Sequence, residues 1–165
     1  MARSSIDGVV TMVVESPVGR LVLRASERGL ASCCFGGSEG GEGGDGGQAA
    51  ARTIAMESAA QLTAYFAGAR KTFDVPLDMR GTDFQRSVWD SLIAIPFGQM
   101  VSYGEVAKRI GNPKAVRAVG GANNRNPLPI FVPCHRVVNS AGGLHGYGGG
   151  LPMKQWLLKH EGCAV

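Results

Sequence analysis

Ser102-Tyr-Gly-Glu-Val-Ala-Lys-Arg-Ile-Gly-Asn-Pro-Lys-Ala-Val-Arg-Ala-Val-Gly-Gly-Ala-Asn-Asn-Arg125 contains two closely spaced helix starts. Ser102 followed by Glu105 is a capping box, in which the hydroxyl takes a backbone N–H that would otherwise be orphaned. Gly111 closes that first helix. Asn112-Pro113 then offers an N-cap and a proline at the first helical position, where no backbone donor is needed. The spacing predicts helices over 103–110 and 113–122 joined by Gly111-Asn112, the proportions of a helix-turn-helix. Lys108, Arg109, Lys114, Arg117 and Arg125 are opposed by Glu105 as the one acid in this stretch. The second helix is rich in small residues: Ala115, Ala118, Gly120, Gly121 and Ala122. A glycine inside a helix costs about 1 kcal/mol relative to alanine. Tight packing on a neighbouring helix and close approach to an external surface both account for that cost. The basic residues tilt the reading toward docking on DNA.

Working outward from this element, Thr82-Asp-Phe-Gln85 is a second capping box, opening a helix to about residue 94 with Phe84, Val88, Trp89, Leu92 and Ile93 on its apolar face. Asp78–Gly81 reads as a hinge. Before it, Val9–Glu15, Arg20–Ala25 and Leu30–Phe35 are short Val/Leu-rich runs separated by turn residues, which predicts a small antiparallel sheet. Gly36–Gly47, with eight glycines in twelve residues, is expected to be a mobile loop. Residues 49–67 read as a helix with Ile54, Leu62, Tyr65 and Phe66 inward, and Lys71–Leu77 as one further strand. Leu151–His160 is a last helix, with Trp156 and Leu157 inward. The expected fold is α/β (α+β). Residues 1–78 form a strand-and-helix domain, and residues 79–165 a mostly helical one.

Charge is unevenly divided between these halves. Residues 1–77 hold seven Lys/Arg against eight Asp/Glu, whereas residues 78–165 hold ten against five. A basic C-terminal half suits a polyanionic partner. No apolar run approaches the ~18 residues of a membrane span, and no long apolar leader opens the chain, so a cytoplasmic protein is expected. Cys33, Cys34, Cys134 and Cys163 form no Cys-x-x-Cys pair, and every histidine lies beyond residue 134. No zinc site with short ligand spacing is written here.

Pro133-Cys134-His135-Arg136-Val137 follows the proline-stiffened approach Asn126-Pro-Leu-Pro-Ile-Phe-Val132. Such an approach holds a cysteine in a fixed, partly desolvated place. Thiolate is the reactive form, and a neighbouring His or Arg favours it. Adjacent side chains rarely face each other, so His135 acts through a water or a bend rather than by direct contact.

These residues, together with Lys114-Ala-x-Arg-Ala-Val-Gly-Gly-Ala122, Asn126-Pro-x-Pro-Ile130, Gly146-Tyr147-Gly-Gly-Gly150 and Trp156-Leu-Leu-Lys-His-Glu161-Gly162, resemble the O6-alkylguanine-DNA alkyltransferases over about half the chain. The resemblance implies direct, single-use repair of O6-alkylguanine, with the alkyl group passing irreversibly to Cys134 after base flipping. It implies that His135 draws the thiol proton through a bound water, and that Glu161 orients and charges the imidazole. Asn126 holds the active-site turn, and Tyr103 donates to the leaving guanine. Arg117 replaces the flipped base in the stack, on a docking surface with Lys114, Ala115, Ala118 and Gly120. Pro129 and the Tyr147–Gly150 loop wall the base pocket, backbone groups of Val137 and Gly148 read the guanine edge, and His145 stands at the lip. The implied partner is double-stranded DNA carrying the lesion. No cofactor, metal, membrane or obligate protein partner is implied; the expected species is a monomer, with cooperative packing on DNA left open.

Overall fold

The computed structural model describes residues 8–36, 49–144 and 146–165. The glycine-rich run beyond Gly36, and His145, lie outside the described residues. The chain forms two compact units, Met1–Met79 and Arg80–Val165.

In the first unit β1 (Val10–Ser16), β2 (Gly19–Ala25) and β3 (Leu30–Phe35) form an antiparallel sheet in the order β1-β2-β3. Alternation along β2 turns Leu21, Leu23 and Ala25 to one face, where all three are fully buried. Helix α1 (Ala49–Phe66) packs on β1 and β2. Its buried face is Ala51, Ala55, Ser58, Gln61, Leu62 and Tyr65, while Ile54 and Phe66 are only half-buried. Small residues let the helix lie close to the sheet.

Lys71–Leu77 is not a strand. Its contact with the sheet is a single bridge between Leu30 and Leu77. The reason is competition for its backbone: Asp74 N–H donates to the Gln61 side chain at 3.1 Å, and Pro76 has no N–H to donate. Around the bridge, Leu30 N–H donates to Pro76 O and Asp78 N–H to Leu30 O, both at 2.8 Å. Gly29 permits this approach, since a Cβ there would lie 2.7 Å from Pro76 O.

The second unit comprises α2 (Asp83–Ile93), β4 (Val101–Ser102), α3 (Tyr103–Arg109), α4 (Val116–Asn124), a 3-10 turn at Cys134–Arg136, β5 (Val137–Val138) and α5 (Leu151–His160). Thr82 and Gln85 make the full reciprocal capping box, a device worth about 1 kcal/mol. Val88, Trp89 and Leu92 are buried, and the Trp89 indole donates to Ala122 O at 2.9 Å, tying α2 to α4. Ile93 is 44% exposed and does not belong to that face. At Ser102 half of the box forms: its hydroxyl accepts from Glu105 N–H, while the Glu105 carboxylate accepts from Arg109 at 3.4 Å.

Helix α4 starts at Val116, later than Asn112-Pro113 suggests. Asn112 N–H is used by Ala107 O at the end of α3, and Ala115 N–H returns to Asn112 O, so residues 112–115 form the turn between the helices. Lys114 and Ala115 therefore lie before α4, with Ala115 in the N-cap place. On α5, Trp156 is half-buried and stacks on His160, and the buried residues are Lys154, Leu157 and Leu158.

Candidate active site and DNA-facing surface

The parallel pairing of β4 with β5, Val101 to Val137 and Ser102 to Val138, is what brings distant segments together. It sets Tyr103, the first residue of α3, beside the turn that carries Cys134. The approach to that turn is stapled by one side chain. Asn126 Oδ1 accepts from Leu128 N–H at 2.9 Å, and Asn126 Nδ2 donates to Val132 O at 2.8 Å. Between the staples, buried Ile130 adopts φ 76°. A β-branched residue in this region stores about 1–3 kcal/mol of strain, which persists only where the surroundings over-determine the backbone.

Cys134 is 4% exposed. Burial pushes its thiol up to about 11, and a hydrogen bond from Asn126 and the charge of Lys154 pull it down without cancelling the rise. Near neutral pH, on the order of one chain in ten thousand would hold a thiolate unaided. Burial therefore favours the neutral thiol, and a base that takes its proton would favour reaction.

His135 is fully buried, with Nε2 2.8 Å from Glu161 Oε1. Its Nδ1 is also buried and has no hydrogen-bond partner among the described residues. Burial lowers the His135 pKa, and the neighbouring Arg136 and Lys154 charges act in the same direction; the Glu161 contact opposes them and does not win. Glu161 thus orients the imidazole, and its pull toward the charged form is opposed by burial. Burial alone would raise the Glu161 pKa, yet its hydrogen bonds to His135 and Arg136 hold it well below the usual carboxylate range. Tyr103 is pushed up, first by burial and then by its electrostatic interaction with Cys134, so its hydroxyl stays protonated.

Several of these partners were not singled out by sequence. Arg136 grips Glu161 through Nε at 2.8 Å and Nη2 at 2.9 Å, and donates from Nη1 to Ile95 O at 2.5 Å. Gly98 N–H donates to Glu161 Oε2 at 3.3 Å. Lys154, fully buried, donates to Val137 O at 2.7 Å. Asn123, on the inner face of α4, donates to Cys134 O at 3.4 Å. A signal for Lys154 existed: Lys154, Leu157, Leu158 and Glu161 recur at helical spacing along one face of α5.

The outer face of α4 is the second part of the site. Val119, Ala122 and Asn123 point inward, whereas Val116, Arg117, Ala118, Gly121 and Asn124 are exposed. A Cβ at Gly120 or Gly121 would meet nothing within 4 Å. These glycines are not packed against another helix, so close core packing does not explain them. A groove of about 400 Å³ is lined by Tyr103, Val116, Arg117, Gly120, Asn124, Asn139 and Gly146. The fold thus gathers Tyr103, Arg117 and Gly120 on one groove, with Lys114, Ala115 and Ala118 outside it. Pro129, Val137, Tyr147 and Gly148 do not line this groove either; Val137 is fully buried in β5. Val116, Asn124 and Asn139 are groove residues that sequence reading missed. No group of three His, Cys, Asp or Glu side chains is placed to hold a metal among the described residues. No described helix is long and apolar enough to cross a membrane.

Two family models match in tandem: the ribonuclease-like domain of 6-O-methylguanine DNA methyltransferase over residues 9–79, and its DNA binding domain over residues 83–163. The chain belongs to the 6-O-methylguanine DNA methyltransferase family. Among relatives of this methyltransferase family, a methylated-DNA--protein-cysteine methyltransferase of Methanosarcina acetivorans is 49% identical over 91% of this chain and 96% of its own. The O6-methylguanine methyltransferase of Mycobacterium tuberculosis superposes with a TM-score of 0.80 at 43% identity, covering 93% of this chain and 92% of that one. The same bacterium's OGT, solved in complex with DNA, gives 0.79 at 44% identity over 93% and 91%.

Proposed function

We propose that this methyltransferase repairs O6-alkylguanine in DNA by passing the alkyl group to Cys134. Alkyl repair of DNA by transfer to a protein cysteine is the activity of its relatives and of this chain, and DNA is its partner. The observation that carries the assignment of Cys134 is its setting. It is buried at the end of a stapled, strained approach, beside a His–Glu pair and in electrostatic reach of a groove tyrosine. Cys33 and Cys34 lie on β3, and Cys163 follows α5.

The reaction then runs as follows. The Cys134 S–H proton passes, through a water, to His135 Nδ1, forming an imidazolium held by Glu161. The thiolate attacks the alkyl carbon in line; the S–C bond forms, the C–O6 bond breaks, and its electron pair stays on guanine. Tyr103 hydrogen-bonds the developing guanine anion, which ends with the proton lost by the thiol. The product thioether has no leaving route, so each chain acts once.

An O6-alkyl group inside a duplex is out of reach of so buried a thiol, so the nucleotide is extruded, at a cost that is least for a weakened pair. Tyr103 meets the extruded base, and Arg117, on the same groove, fills the stack. Lys114 and the exposed small residues of α4 let backbone and charge approach the phosphates. Pro129, Val137, Tyr147 and Gly148 are assigned to the base pocket by resemblance alone. The acting species is a monomer without an obligate protein partner.

Transfer of labelled methyl from an O6-methylguanine duplex tests this reading. Wild type should take up label, and Cys134→Ala should take up none while still binding the duplex. Label retained by Cys134→Ala would overturn the assignment.

A further inference from the structure

We propose that Arg136 is a positioning residue for alkyl transfer: by gripping both oxygens of Glu161 it fixes the carboxylate plane and holds His135 as the neutral base with its proton on Nε2. The inference rests on the assignment of Cys134 as acceptor and adds the device that keeps its base ready.

The geometry is a network of contacts among the described residues. Arg136 Nε reaches Oε2 at 2.8 Å and Nη2 reaches Oε1 at 2.9 Å, so the guanidinium fork and the carboxylate are locked as a pair. Such bidentate pairing fixes orientation as well as attraction. The fork is itself held in place: Nη1 donates to Ile95 O, and the guanidinium carbon sits 5.9 Å from the centre of the Phe97 ring. Gly98 N–H supports Oε2 from the same turn. Oε1 is left pointing at His135 Nε2, 2.8 Å away. An ionised carboxylate only accepts, so Nε2 must carry the proton. That leaves Nδ1 as the lone pair, and Nδ1 is the buried ring nitrogen with no partner among the described residues.

Charge supports the same conclusion. A carboxylate alone beside a buried imidazole would favour imidazolium, which cannot accept a thiol proton. Here burial of the ring favours the neutral imidazole, and the Arg136 charge offsets part of the Glu161 pull toward the charged form. Among the described residues, the other titratable groups facing this cluster include Lys154 from α5, Cys134 preceding the imidazole, Tyr103 of α3 coupled to Cys134, and Cys163 coupled to Glu161 and Arg136. None supplies a second negative charge while the thiols and phenol are protonated. When His135 does take the proton, Glu161 is already ionised and aligned to receive it.

Two measurements on the full chain test the proposal. Long-range proton–nitrogen correlation on wild type, titrated from about pH 5.5 to about pH 8, reads the imidazole directly. It should show the neutral Nε2–H form throughout, and an imidazolium at neutral pH would overturn the proposal. The second is the single-turnover rate of transfer from an O6-methylguanine duplex for Arg136→Gln and Arg136→Lys, in which the amplitude counts competent molecules and the rate constant is read separately. Freed from Arg136, Glu161 should charge His135, moving the acid limb of the rate profile upward by about one unit. Arg136→Gln should then be up to about tenfold slower on the acid side of the wild-type limb and close to wild type in alkali. Arg136→Lys, which keeps the charge without the fork, should fall between. An equal loss at every pH would show a merely structural residue and refute the proposal. Where Arg136→Gln fails to fold, the wild-type titration decides. Label on another cysteine would undo the assignment of Cys134 while leaving the imidazole result standing.

Discussion

Gly120→Ala should make the protein more stable and worse at binding DNA, an unusual combination that follows from where α4 stands. The residue is helical, and a Cβ there meets nothing within 4 Å. Alanine in place of glycine in an open helical position adds about 0.8–1 kcal/mol, which in a chain of this size raises Tm by roughly 2–4 °C. Gly120 also lines the groove with Tyr103 and Arg117. If the DNA backbone fills the space in front of it, the new methyl must be accommodated at about 1–3 kcal/mol, or ~5- to 150-fold in Kd. Thermal melting and fluorescence anisotropy on an undamaged duplex, performed on the same preparation, read the two effects separately. Gly121→Ala, off the groove, should raise Tm similarly with a smaller loss of binding. A fall in Tm for Gly120→Ala would mean the glycine is packed inside. A raised Tm with unchanged Kd would mean that DNA does not approach α4 there.

Two further outcomes are expected. The lowered His135 pKa makes the unfolded state bind more protons, so stability should be lost as pH falls below the unfolded histidine value of about 6.5. The lowered Glu161 pKa adds to that loss below about 4.3, the unfolded carboxylate value. Tm measured against pH should show the higher step, and His135→Gln should remove it. Arg117→Ala should slow repair of a duplex more than reaction with free O6-methylguanine base, because the side chain's proposed task is to replace an extruded nucleotide; equal losses on both substrates would remove Arg117 from that step.

What could be read from the sequence was local, and what could not depended on partners far along the chain. The Thr82–Gln85 box and the hairpin strands obey short-range rules, and the structure places them within a residue or so of where those rules put them. The start of α4 misled because Asn112 has two possible uses. It could cap the helix ahead, but its N–H closes the helix behind through Ala107 O. Lys71–Leu77 misled because a strand needs free backbone donors, and a glutamine on α1 takes one of them. At the site, the Cys134–His135 motif and Glu161 were legible as a family pattern. Their electrostatics were not: the burial that raises the thiol and lowers the imidazole is a property of the folded core. Arg136 was in plain view next to His135, yet its grip on Glu161 spans 25 residues and no local pattern announces it.

Single-use transfer to Cys134 can be read from the intact mass of wild type after incubation with excess O6-methylguanine duplex. Every chain should gain one methylene unit and then stop, however much lesion remains. Peptide mapping should place that unit on the fragment carrying Cys134 and leave Cys33, Cys34 and Cys163 unmodified. Continued consumption of lesion by unmodified protein, or the added mass on any other cysteine, would contradict it.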